Sequence, residues 1–145
     1  MNLPKYPLFA TEEIHTYGFY SEGPMGRIKK FVFYEKIGNN LFNLGFADWD
    51  EGRKEANDSS RSNNGDRNKV LATVASTAVI FTDQFPEARL FVEGSTPGRT
   101  RLYQMGIAHN LLEINEKFEI KGFINNQWEA FQHGRNYKAF LITRK

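Results

Sequence analysis

The chain has 145 residues, 40% of them hydrophobic and 14% aromatic, with a formal net charge of +2 and a sequence pI near 8.8. Such a composition describes one globular domain over 1–145 with a real core and excludes a disordered chain, while its mild basicity permits nucleic-acid contact without requiring it. The chain has no cysteine, which excludes disulfides, thiolate zinc sites and a cysteine nucleophile.

Residues 1 to 12 read as an irregular lead-in, because Pro4 and Pro7 block a regular helix start. This opening lacks the apolar core of a signal peptide, and no stretch approaches the roughly 18 apolar residues of a membrane span. A soluble cytoplasmic protein with no membrane contact is the expectation. Ile14 to Tyr20 alternates like a strand and ends at the turn cluster Ser21-Glu22-Gly23-Pro24-Met25-Gly26. Arg27 to Ile37 then reads as a long strand. Gly38-Asn39-Asn40 is a hairpin signal, since Asn and Gly tolerate positive φ. Leu41 to Ala47 follows, with Phe42, Leu44 and Phe46 on one face. The first third is therefore expected to be a three-stranded antiparallel meander.

Asp50 to Asn68 is polar apart from Ala56, too poor in apolar surface to offset its ordering entropy. It reads as a mobile polar loop over 50–68, either plain disorder or a binding lid. Lys69 to Phe85 places Val70, Val74, Ala78, Phe81 and Phe85 at helical spacing, with Pro86 as the stop. No charge occurs between Lys69 and Asp83, so this helix is expected to be covered on more than one side. Its β-branched residues keep a strand as the alternative. Ala88 to Glu93 is a short strand, and a second helix is expected from Pro97 to Asn115. That helix carries two stripes: Leu102, Met105, His109 and Leu112 on one side, Tyr103, Ile107, Leu111 and Ile114 on nearly the other. Two stripes require two partners, the sheet and either the first helix or a second copy of the chain. The last third reads as strands over Phe118 to Gly122, Gln127 to Phe131 and Tyr137 to Thr143, turning at Asn125-Asn126 and at His133-Gly134-Arg135-Asn136. The order is β-β-β-α-β-α-β-β-β, an α+β class in which two antiparallel β-meanders flank a helix-strand-helix middle.

The stretch from Glu93 to Tyr103 concentrates the chemistry. Ser95 or Thr96 is a good N-cap, with Pro97 at the first helical position. The open N–H groups of a first turn attract phosphates or carboxylates. Gly94 and Gly98 permit close backbone approach, and Arg99 and Arg101 are placed to clamp an anion. Capping alone also explains these residue types. The turn is not a P-loop, since it lacks G-x-x-x-x-G-K-[ST], and G-x-G-x-x-G is absent too.

Phe91-Val92-Glu93-Gly94-Ser95-Thr96 with Arg99-Thr100-Arg101-Leu102-Tyr103 resembles a signature of a family of short bacterial proteins of unknown function. The resemblance extends into the strands that follow. It implies that the G-S-T-x-x-R-T-R-L-Y turn characterises the family. It implies no activity and transfers no catalytic residue.

Other chemistry is sparse. His15, His109 and His133 lie in three separate elements, with His109 on an apolar stripe as a packed residue would be. Neither H-x-x-x-H nor a G-x-S-x-G elbow occurs, so no metal, cofactor or serine nucleophile is expected. Asp48-Trp49-Asp50 reads as a strand end rather than a cation site or acid–base pair. The leading expectation is a module that binds nucleic acid or a phosphate-bearing small molecule through Gly94, Ser95, Thr96, Gly98, Arg99 and Arg101. Phe31, Phe33, Tyr34, Trp128 or Tyr137 would stack on bases unless they pack in the core. Two alternatives stand beside it. One is a metal-independent ribonuclease of toxin–antitoxin type using His133, Arg135, Arg99 and Arg101. The other is a homo-oligomer, most simply a dimer, whose helices form the interface.

Overall fold

The computed structural model describes residues 4–50, 55–57 and 65–145. Its elements are β1 (Phe9–Ala10), β2 (Thr16–Gly23), β3 (Gly26–Gly38), β4 (Leu41–Asp50), β5 (Glu55–Asn57), α1 (Arg67–Gln84), β6 (Arg89–Val92), α2 (Pro97–His109), α3 (Leu111–Asn115), β7 (Phe118–Ile124), β8 (Gln127–Ala130) and β9 (Ala139–Arg144). Hydrogen-bonded neighbours follow the order β1-β2-β3-β4-β6-β9-β7-β8, with β5 added on β4. The fold is α+β with a mostly antiparallel sheet, as expected. Among the described residues no helix is long and apolar enough to cross a membrane.

Several elements differ from expectation in detail. The lead-in contributes β1, which pairs antiparallel with β2 through Phe9↔Gly18. β2 starts at Thr16 rather than Ile14 because His15 adopts a left-handed backbone, φ 54°. Within the expected polar loop, β5 pairs antiparallel with the end of β4 and α1 begins at Arg67; 51–54 and 58–64 lie outside the described residues. The second helix is split in two. Asn110, with φ −111° and ψ 19°, ends α2 and starts α3, and its side chain donates to Gly106 O at 2.9 Å.

The chain divides into two compact units, Met1–Tyr34 with Gly45–Phe81 and Glu35–Leu44 with Thr82–Lys145. In the first, α1 turns Val70, Ala78 and Phe81 inward, and Phe81 stacks on Tyr34 at 4.3 Å and 6°. Phe19 is fully buried and stacks with Tyr6 and Phe46. Between Lys69 and Asp83 only Ile80 is exposed, which accounts for the uncharged run. Polar groups in this core are matched: Thr77 Oγ1 lies 2.8 Å from the Tyr34 hydroxyl, Thr73 Oγ1 accepts from Tyr6 N at 2.8 Å, and Lys30 Nζ meets Asp48 Oδ1 at 2.5 Å. Asp48 thus holds a buried lysine.

In the second unit, β6 runs parallel to the start of β4 (Leu41↔Arg89) and antiparallel to β9, which pairs in turn with β7. The β7–β8 hairpin turns through Asn125 and Asn126, both left-handed at φ 53° and 60°, as the Asn-Asn signal requires. Leu90, Val92, Phe118, Ile120 and Phe140 form the buried face. Tyr137 precedes β9 instead of opening it. Its ring lies on Gly122, where a Cβ would fall 2.3 Å from Tyr137 Cδ1.

Candidate phosphate site at the start of α2

β6 delivers the chain into the turn, and the turn is locked before the helix begins. Gly94 N donates to Thr100 Oγ1 at 2.9 Å, and a Cβ at Gly94 would fall 2.4 Å from Thr100 N. Only glycine lets the strand end close on the helix backbone here. Thr100 is buried and its hydroxyl reaches back to Thr96 O at 3.3 Å. Of the two candidate caps, Thr96 acts: its φ of −137° and ψ of 159° are extended, and its Oγ1 accepts from Arg99 N at 3.2 Å.

This arrangement narrows the backbone contribution. Pro97 has no N–H and Thr96 takes that of Arg99, so among the described residues the first turn has few amide donors to spare. No acidic residue lies in that turn. Ser95, Thr96, Pro97 and Gly98 are exposed and Arg99 is half-buried. The helix end therefore presents the positive end of the helix dipole, with Arg99 and Arg101 close to it.

Arg101 is positioned by a distant loop. Its Nη1 donates to Asn136 Oδ1 at 2.7 Å. One turn along, Gln104 clips the same loop: its Nε2 donates to Arg135 O and its Oε1 accepts from Tyr137 N at 3.0 Å. Sequence spacing held no signal for the Gln104 clip or for Asn136. The loop is braced from its other side by Glu129. Arg135 Nη2 donates to Glu129 Oε1 at 3.0 Å, while its buried Nε lies 2.8 Å from Oε2 without hydrogen-bond alignment. Tyr137 donates to Glu129 Oε2 at 2.7 Å and accepts from Gln132 N at 3.0 Å. Burial, and then the bond to the Glu129 carboxylate, hold the Tyr137 phenol above its usual range. His133 is exposed on this loop, edge-on to Phe131 at 6.3 Å.

The structure thus brings Arg101 to the loop that carries His133 and Arg135, and commits Arg135 to Glu129. The aromatics expected to stack on bases fall into three groups. Tyr34 and Tyr137 are buried, and Phe31 and Phe33 are half-buried. Trp128 is 40% exposed and packs against Phe123 at 5.0 Å and Phe91 at 6.3 Å. Phe91 lies three residues before Gly94, about 10 Å along an extended strand. Among the described residues no group of three or more His, Cys, Asp and Glu side chains is placed to hold a metal ion.

The model of a family of unknown function (DUF6934) matches residues 2–145. No curated protein and no solved structure gives a significant match.

Proposed function

The chain belongs to the DUF6934 family, whose function is unknown, and from the geometry at the start of α2 we propose that it binds a phosphate-bearing ligand, nucleic acid foremost, in the bacterial cytoplasm. The turn Gly94–Arg101 is the binding element, and we read its G-S-T-x-x-R-T-R-L-Y pattern as the family's signature. One observation carries the reading: an exposed, acid-free helix start that sets Arg99 and Arg101 within its first turn and a half. In this reading Trp128 receives a base while the turn holds a phosphate.

The test is binding of RNA and single-stranded DNA at two salt concentrations, by wild type and an Arg99→Ala/Arg101→Ala variant. Salt-sensitive binding that the double variant loses supports the site. Failure of wild type to bind at low salt overturns nucleic acid as the ligand.

The hydrogen bond from Arg101 to Asn136 favours a second reading, a metal-independent ribonuclease with His133 as proton-transfer group. RNA cleavage without added metal, abolished by His133→Ala, is its signature. Binding without cleavage leaves the module reading standing alone.

A further inference from the structure

The outward face of α2 and α3 carries apolar groups that the fold leaves in solvent. Leu102 is 39% exposed, Met105 51% and Leu112 88%, and His109 is exposed among them. The other stripe, Tyr103, Ile107, Leu111 and Ile114, is half-buried, and Thr100 and Gly106 are buried. The first of the two stripes read from the sequence thus stays exposed among the described residues.

Charge is segregated along the same segment. Arg99 and Arg101 lie at its start, with no acidic residue in the first turn of α2; Glu113 and Glu116 lie at its end. The Glu113 Oε2 is buried and makes no hydrogen bond among the described residues. The helix dipole adds in the same sense, positive at the start and negative at the end.

We propose that a second copy of this chain covers the stripe, in an antiparallel two-fold contact centred level with Ile107. In that register the Leu102 end of one copy meets the Leu112 end of the other, Met105 lies near His109, and Arg101 faces the glutamate end, where Glu116 is exposed. Each contact occurs twice, as a two-fold interface requires. A parallel arrangement would set arginine against arginine and glutamate against glutamate, so the charges select the antiparallel one. The apolar seam runs only from Leu102 to Leu112, across the break at Asn110. That is short of a standard interface, so a concentration-dependent dimer is expected. The inference goes beyond the anion reading: it uses a different face of α2 and shares only Arg101 with it.

Sedimentation or light-scattering mass of the full chain, measured from about 1 to 500 μM, tests the inference. Wild type is expected to pass from monomer to dimer across this range, and Met105→Glu and Leu112→Glu to remain monomeric with unchanged circular dichroism. Both positions are exposed, so neither change disturbs a core. Register is tested by charge exchange. Arg101→Glu and Glu116→Arg each weaken the dimer about tenfold, and the two together restore it. A wild type still monomeric at about 500 μM overturns the inference, and so does a dimer indifferent to Met105→Glu. A dimer sensitive to Met105→Glu but not restored by the charge exchange overturns the antiparallel register. Nucleic-acid binding by Met105→Glu reports separately on the anion site.

Discussion

Lys30 and Asp48 show how single side chains decide the stability of the first unit. Their side chains are 5% and 9% exposed and meet at 2.5 Å, with Lys30 Nζ also 5.3 Å from the Phe46 ring centroid. Removing one partner of a buried ion pair costs about 3 to 5 kcal/mol. Asp48→Ala is therefore expected to lower the denaturant midpoint well beyond a surface substitution, whereas Lys30→Met/Asp48→Leu, which removes both charges, recovers much of the loss. Tyr34 supplies a pH test. Burial drives its phenol above the ordinary tyrosine value of 10.0, an effect only partly offset by the Thr77 hydroxyl. The folded pKa exceeds the unfolded one, so its contribution is complete below pH 10 and is lost as pH rises above it. Thermal melts from pH 8 to 11.5 are expected to show a fall in Tm above about pH 10, and the fall is shallower in Tyr34→Phe. An equal slope in both proteins would place the alkaline sensitivity elsewhere.

At the scale of elements, the start of α2 depends on Thr96 and Gly94. Thr96→Ala removes the cap on Arg99 N and is expected to cost about 1 kcal/mol, read as a shift in urea midpoint with unchanged slope. Gly94→Ala forces a Cβ against the Thr100 backbone and costs about 1 to 3 kcal/mol; under the proposed function, nucleic-acid binding is expected to weaken with it because the turn carrying Arg99 and Arg101 shifts. Most elements were legible in the sequence. Long strands with alternating apolar residues, such as Arg27 to Ile37, and a helix with an apolar stripe ending at Pro86, announce themselves by period. β1 and β5 do not, because two or three residues have no period and exist only where a neighbouring strand offers an edge. The break at Asn110 was equally silent, since Asn is tolerated in a helix and its bond back to Gly106 O is a local choice. For the site, the types at Gly94–Arg101 were readable. The clip by Gln104 and the tether from Arg101 to Asn136 were not, because the partners are more than thirty residues apart and only the folded chain brings them together.

At the scale of the whole molecule, each unit is assembled from discontinuous segments. The second begins with Glu35–Leu44 and resumes at Thr82. Its parallel pairing of Leu41, Phe42 and Asn43 with Arg89, Leu90 and Phe91 closes a long loop through α1. Loop closure of that kind is slow to form, so refolding is expected to be limited by the arrival of β4 at β6. The same pairing also shields β6, which would otherwise present a bare row of amide and carbonyl groups. A polypeptide of residues 82–145 would retain β6, β9, β7 and β8 but lose the strand that occupies that edge, leaving a template for indiscriminate pairing. Such a fragment is expected to form β-rich aggregates that bind thioflavin, and a synthetic peptide of residues 35–44 added in trans should suppress them by filling the vacant edge. The start of β4 is in that sense a built-in guard against self-templating.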